Sequence, residues 1–488
     1  MKTIIIILTF CSLLFSVSCT KKDAGKTAAH YKDKSYRGVA AEDVLRDIND
    51  VIFKVKDPKE VEGAIDTVTR IAQTSGSVPA RIYAMILKPV RKMRSVAWRI
   101  TPWLGRNDGA NFKLRTYIHT AKYSSFLVGT HPRAFVDYLI MPDKKLGRLE
   151  TSKQVQAFLQ NEIKPALMEF ISEANQLLDD EGVSDRDFEF MVDQRIATGD
   201  GPFFSKEDLK AQSVKGYIHY LVAYASYAVG SIDMICAYNL DDVWDFANVL
   251  ALKSAIHANA YVQKVGLKIK KDLQKLKIFS DKMLTSVQDK FLETFPGVKT
   301  TSPLLVYGVL NDNKFEKLLT FISGSEGLLK EAELNFKNGI AHEEKGFLNL
   351  YDYEKKSSMD AKKKFLVPLF YAISENPKKR LRAIRETKAL FGDQKHVIVF
   401  SEVTGSNVQV DIKALFKPHK DLKHFYPVDF VVDKKSWDHG KPVKWNDYTL
   451  GGLIPGTTKG NFHERLRDLW LTPSTNRIFN MIIKAVAL

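Results

Sequence analysis

Cysteine is scarce in this chain, and its scarcity limits how the fold can be stabilised. The 488 residues contain three cysteines, Cys11, Cys19 and Cys236. Because two of them lie near the N-terminus, the body of the chain keeps only Cys236 and cannot form an internal disulfide. Cys236 stands in an apolar stretch, which predicts a buried packing residue rather than a nucleophile. The fold must therefore be stabilised by its hydrophobic core.

Signatures of common catalytic sites are also lacking. The glycine spacing of residues 451–456 resembles a phosphate-binding loop, but Thr457 occupies the lysine position. Ser325 lacks the glycine two residues earlier that a serine-hydrolase elbow requires. His342 lacks the second histidine four residues on that a helical zinc protease needs. We therefore expect no catalytic residue, no cofactor and no metal from local motifs.

A group of C-terminal histidines keeps an enzyme open as an alternative. They could converge in space, although their spacings match no standard metal site. The simpler interpretation is that they are solvated or hydrogen-bonded to loops. The group consists of His419, His424, His439 and His463.

The first eighteen residues have the features of an export signal. Lys2 gives a positive start, and an apolar run extends from Ile4 to Val17. Its 14 residues would form only about 21 Å of helix. A helix that spans a bilayer needs roughly 20 residues, so this run is too short. We therefore expect residues 1–18 to be cleaved as a signal peptide.

The segment Ser16-Val17-Ser18-Cys19 resembles the cleavage site of bacterial lipoprotein precursors. The cysteine and the small residue before it match that family, while serine stands where leucine is usual. The resemblance implies a lipidated Cys19 at the mature N-terminus. Thr20 after it implies passage to the outer membrane, facing the periplasm or the surface. An ordinary secretory signal that leaves a free thiol is the alternative.

Residues 19–38 contain six lysine or arginine residues among small and polar ones, without apolar periodicity. This composition predicts a flexible basic tether that spans roughly 25 Å. The formal net charge of the whole chain is +16, and removal of Lys2 with the signal leaves about +15. In an exported protein we expect this charge to meet anionic lipid, lipopolysaccharide or an envelope protein rather than nucleic acid.

Helical periodicity dominates residues 39–392. Apolar residues recur at intervals of three and four over 44–55, 61–71, 82–93 and 155–177. No repeat of fixed period is present. The sequence therefore predicts a mainly α fold, either a multi-helix bundle or an irregular α-solenoid of antiparallel helix pairs.

The most apolar segment covers residues 217–238 and is apolar on every side, which predicts a helix buried among other helices rather than a membrane span. A tyrosine stripe lies on one face of it, close to His219. The stripe could line a pocket for a hydrophobic or aromatic ligand, or it could be packed core. Its members are Tyr217, Tyr220, Tyr224 and Tyr227.

Two cationic helical faces could rest on anionic headgroups, although a solvated outer face is a simpler account of each. The first face comprises Arg81, Lys88, Lys92 and Arg99. The second comprises Lys264, Lys268, Lys271 and Lys275.

Residues 393–488 predict a smaller mixed region packed on the helical body. Strands are expected at 396–400 and 408–414, and a helix at about 462–470. Residues 447–456 are similar to a segment near the C-terminus of some helical, repeat-like bacterial lipoproteins, which implies no activity.

Taken together, these patterns predict a lipid-anchored envelope protein that acts by binding or scaffolding and not by catalysis. A carrier that encloses a hydrophobic or aromatic ligand among its helices is the first alternative. An envelope enzyme that uses the C-terminal histidines is the second.

Overall fold

The fold is mainly α-helical, as the sequence predicts. The structure is a computed structural model, and helices make up 69% of the part that it describes. The described residues are 34–55, 57–104, 133–193, 210–243, 316–356, 377–392, 397–400, 407–419, 422, 427–431, 441–445, 447–462 and 464–465.

Among the described helices the longest are α8 and α9. The other described helices are shorter and lie before or after them in sequence. Their bounds are α1 Ala41–Lys54, α2 Val61–Ser75, α3 Val78–Lys92, α4 Val96–Leu104, α5 Arg133–Ile140, α6 Ser152–Phe158, α7 Lys164–Leu178, α8 Lys215–Cys236, α9 Glu326–Lys356 and α10 Pro377–Leu390.

The contacts between the described helices follow the order in which these helices occur in the chain. Helix α1 contacts α2, α2 contacts α3, and α3 contacts α7. Helix α7 then packs on α8, α8 on α9, and α9 on α10. Among the described elements the most extensive contact joins α8 and α9. The interface between these two helices is therefore the main helix contact in the described part of the chain.

Local sequence explains several helix boundaries. Pro58 begins a short 3₁₀ turn between α1 and α2, and the Asp57 carboxylate accepts a hydrogen bond from the Lys59 backbone N–H at 2.9 Å. Gly76 ends α2 with a φ of 66°, a left-handed conformation that favours glycine. Thr151 caps α6 through reciprocal hydrogen bonds with Gln154.

Helices α6 and α7 are joined by a π-helical turn over Leu159–Ile163. The Lys164 backbone N–H donates to the Leu159 carbonyl, one residue farther back than in an α-helix. Pro165 follows directly and has no N–H to donate. We infer that the wider turn accommodates the proline ring, which would clash with a carbonyl four residues earlier. The helical path therefore continues from α6 into α7 across Pro165.

The last residues of the predicted tether, 34–38, pack on the helical body. Residues 34–38 belong to the described fold, and Tyr36 is completely buried in the main core cluster. The Tyr36 hydroxyl donates to the Asp47 carboxylate of α1 at 3.1 Å, and Lys34 forms an ion pair with the same group. A buried aromatic ring and this buried carboxylate hold the segment on α1. Residues 19–33 lie outside the described residues.

The described strands form three two-stranded antiparallel sheets. In the second sheet Val397 pairs with Val410 and Phe400 with Asn407. The predicted strand over 408–414 ends at Val410, because the Asp411 carboxylate caps a 3₁₀ helix at Ile412–Phe416. The strands are β1 Met191–Asp193, β2 Lys210–Gln212, β3 Val397–Phe400, β4 Asn407–Val410, β5 Pro427–Val431 and β6 Lys441–Trp445.

Described residues of the C-terminal region pack against α8 and α9. Leu453 and Ile454 lie in a buried cluster that includes Phe336 of α9. The Asp447 carboxylate shapes the turn before them, since it accepts hydrogen bonds from the backbone N–H groups of Thr449 and Gly451, each at 2.8 Å. Most of the helix predicted at 462–470 lies outside the described residues. The segment 447–456 thus has a structural role in this cluster.

Helix α8 is buried among other helices. Eighteen of its 22 residues are buried, and it contributes to all three hydrophobic clusters. A search of the described helices finds none that is long and apolar enough to cross a membrane.

Candidate functional site

Helices α8 and α9 approach each other closely because glycines lie at their contact. A Cβ atom added to Gly346 of α9 would lie 2.9 Å from the Gly216 carbonyl oxygen of α8. A Cβ on Gly339 would lie 2.6 Å from Cδ1 of Tyr227, and one on Gly230 2.9 Å from Cδ2 of Phe336. Real side chains avoid such distances, so glycine is required here. This interface brings together the polar groups described below.

The tyrosine stripe faces this interface. Tyr217 and Tyr220 pack with Phe347 of α9, while Tyr227 stacks on Phe336 with ring centroids 6.0 Å apart. Tyr224 is half-buried and contacts all three clusters. The contacts therefore assign the stripe to packed core, and its role in binding a ligand stays a prediction.

His219 contacts a second histidine across the interface. Its Nδ1 lies 3.1 Å from Nδ1 of His342 on α9, and the ring centroids are 5.2 Å apart. Burial, followed by the charges of His342, Lys345 and Lys215, lowers the pKa of His219 from 6.5 to about 3. Burial also lowers the pKa of His342. Both rings are therefore neutral at pH 7.

A buried carboxylate lies beside this pair in sequence. Glu343 is 3% exposed, and its Oε2 accepts a hydrogen bond from the Tyr227 hydroxyl at 2.9 Å. The Arg380 guanidinium of α10 lies 3.8 Å from Oε1 of the same residue. On the outer side, Glu344 pairs with Arg385 at 3.1 Å and with Lys388 at 2.5 Å. These ion pairs link α10 to α9, and the exposed ones to Arg385 and Lys388 each contribute little to stability.

A second polar cluster lies near the C-terminal end of α8. Asp233 is 0% exposed, and its Oδ1 accepts hydrogen bonds from Lys164 at 2.7 Å and from Gln160 at 3.2 Å. Burial raises the pKa of Asp233 despite these donors. Lys164 also pairs with Glu331 of α9, so its ammonium links α7, α8 and α9.

Cys236 lies next to this cluster and is 6% exposed. Its Sγ is 3.7 Å from the Gln156 carbonyl oxygen. Burial raises the pKa of the thiol to about 12. Because the thiolate is the reactive form, this environment makes the residue inert, and the prediction of a buried packing cysteine is confirmed.

The first cationic face is neutralised by carboxylates. Arg81 pairs with Asp180 at 3.3 Å, and Lys88 pairs with Glu169 at 3.1 Å and with Glu173. The fold buries the fourth member, Arg99, which is 8% exposed and lies 3.3 Å from Glu162. Lys92 is exposed. Three of the four cations are thus paired or buried and Lys92 is exposed, and contact of this face with an anionic surface stays a prediction.

Several other predicted residues lie outside the described part of the chain. They are Cys19, the second cationic face at Lys264, Lys268, Lys271 and Lys275, and three of the C-terminal histidines, His424, His439 and His463. His419 is described, and its Nε2 lies 2.6 Å from the Ala414 carbonyl oxygen, as the loop-bonding interpretation predicts.

Sequence reasoning did not identify the partners of the buried polar groups. His342 and Lys164 meet residues of α8 from other helices, and Arg380 of α10 meets Glu343 of α9, so no local spacing links these pairs. Over the described ranges, no group of three or more His, Cys, Asp or Glu side chains is placed to hold a metal ion.

Comparison with known proteins identifies no relative of this chain. Protein-family models, curated proteins and solved structures were compared with the chain, and none of them matches it.

Proposed function

We propose that this protein is a lipid-anchored module of the bacterial envelope that binds or scaffolds other components without catalysis. The observation that carries the proposal is the apolar run from Ile4 to Val17 followed by Ser18-Cys19, which resembles the export signal of a lipoprotein precursor. Diacylation at Cys19 would anchor the protein firmly, since each buried methylene contributes about 0.8 kcal/mol and one acyl chain alone is marginal. The basic residues between Cys19 and Lys34 would favour an anionic surface.

The polar clusters support a binding role rather than catalysis. A catalytic group must reach its substrate, yet Glu343 and Asp233 are buried and directed at partners within the fold. The Cys236 thiol is held in its unreactive form. These groups fasten helices to one another. The function proposed here therefore acts through the surface of the helical body.

The experiment that tests this function is a crosslinking pulldown from the native envelope. The wild-type chain is compared with Cys19→Ala, which removes the acylation site and keeps the rest of the sequence. We expect the wild-type protein to enrich a specific envelope component that the variant loses. Equal recovery from both, or no enrichment over an untagged strain, would count against an anchored binding module.

Native mass spectrometry separates this proposal from the carrier alternative. The mature chain is purified from the envelope of its natural host, its lipid anchor is removed, and it is weighed under non-denaturing conditions. We expect the mass of the polypeptide alone. A retained small molecule would instead favour a carrier whose ligand lies among the helices.

A further inference from the structure

The pairing of His219 and His342 has the geometry of a metal-binding site. The two residues are 123 positions apart in sequence and belong to different helices, yet their Nδ1 atoms are 3.1 Å apart. The close glycine contact between α8 and α9 sets this distance, because Gly346 lies next to the Cβ atom of His219. Two rigid helices thus hold two imidazole nitrogens at a fixed separation.

We propose that His219 and His342 form a two-histidine binding site for a divalent transition-metal ion, with Zn²⁺ as the reference case. Imidazole nitrogens bind zinc at about 2.05 Å. Two such nitrogens 3.1 Å apart then subtend an angle of about 98° at the ion. This value lies between the octahedral and the tetrahedral angle. The spacing therefore matches adjacent positions in the first coordination shell.

The protonation state of the pair suits metal binding. The hydrogen bond between the two Nδ1 atoms requires that one of them is unprotonated, so the pair already presents one Nδ1 lone pair. In the metal-free pair one Nδ1 donates its proton to the other. On binding, that proton is relocated to Nε2 of the same ring, and both rings remain neutral while their Nδ1 lone pairs bind the ion.

The surroundings set the exposure and the electrostatics of the pair. His342 is only half-buried, so an ion can enter from its side and keep water in the remaining positions. Lys345 and Lys215 oppose a cation, whereas the exposed Asp179 and Asp185 favour one. Lys215 is paired with Asp185 at 3.1 Å, which reduces its effect. The site is thus open, with two protein ligands among the residues placed by the structure.

The test is a Zn²⁺ titration of the full untagged mature chain by isothermal calorimetry at neutral pH. We expect one site that is weakened at least about tenfold in His342→Gln and in His219→Gln, since each variant removes one of two ligands. His419→Gln is the matched control, because His419 contacts the Ala414 carbonyl elsewhere and should leave that site unchanged. Unchanged affinity in both pair variants would overturn the proposal.

A measurement on the wild-type protein makes the test independent of how the variants fold. X-ray absorption at the zinc edge of the one-to-one complex reports the ligands directly. Two imidazole ligands at about 2.0–2.1 Å are expected. A zinc shell without two imidazoles, or the absence of a stoichiometric complex, would refute the site. Circular dichroism of His219→Gln separates loss of a ligand from loss of the fold.

Discussion

Acidification should destabilise the protein through His219, because its imidazole is buried in neutral form. The pKa of this residue is lowered from 6.5 to about 3, first by burial and then by His342, Lys345 and Lys215, while Asp185 acts in the opposite direction. An unfolded chain binds a proton near pH 6.5, whereas the folded chain does not. The contribution of His219 to the free energy of unfolding is therefore constant above pH 6.5 and falls as the pH decreases from 6.5 towards 3.

The magnitude follows from the same pKa. At pH 5 the medium is 1.5 pH units below the unfolded value of 6.5, and each unit corresponds to about 1.4 kcal/mol, which gives a loss of about 2 kcal/mol. His342 should add to this loss, because burial lowers its pKa also and Asp179 only partly opposes that effect.

Urea unfolding followed by circular dichroism at pH 7.5 and pH 5, with a chelator present, measures the effect. The fall in unfolding free energy should be about 2 kcal/mol smaller in His219→Gln than in the wild type. The His419→Gln variant controls for histidines in general and should keep the wild-type fall. If His219→Gln loses as much stability between the two pH values as the wild type, the buried neutral imidazole does not explain the pH dependence.

Three further predictions concern the contacts that residues of α8 make with the rest of the fold. Gly339→Ala should destabilise the protein by about 1–3 kcal/mol through the clash with Tyr227, whereas Gly327→Ala on the same helix, with no atom within 4 Å, should not; urea unfolding compares them, and equal effects would contradict the close contact. Lys164→Met should lower stability by about 3–5 kcal/mol by leaving Asp233 buried without its cation, and adding Asp233→Asn should restore part of it; no recovery in the double variant would argue against the ion pair. Cys236 should react with a thiol reagent in urea but not in the native state, and rapid native labelling would disprove its burial.

The helices could be predicted from the sequence, because their apolar period records which face is buried. The segments 44–55, 61–71 and 217–238 correspond to α1, α2 and α8. Boundaries set by a single polar contact were harder to predict. The alternation after Val408 suggested a longer strand, yet the Asp411 carboxylate ends it at Val410. Competition between a side-chain cap and strand pairing is not visible in the apolar pattern.

The sequence indicated the residues of the candidate site on α8 but not their partners on α9. His219 and the tyrosine stripe stand out on α8, but their partners lie on α9, more than 100 residues away. The rotation of one helix against the other depends on the glycines at their contact, whose effect appears only once the two helices are placed together. The burial of Tyr36 could not be predicted either, because the segment around it is basic and polar. The structure buries this residue against α1.

Anchoring through Cys19 is the central claim, and the intact mass of the protein extracted from a bacterial envelope tests it most directly. The account predicts a chain that begins at Cys19 and carries the added mass of a diacylglyceryl group, while Cys19→Ala lacks this mass and leaves the membrane fraction. A mature chain with an unmodified Cys19, together with an unchanged membrane distribution of Cys19→Ala, would contradict the account.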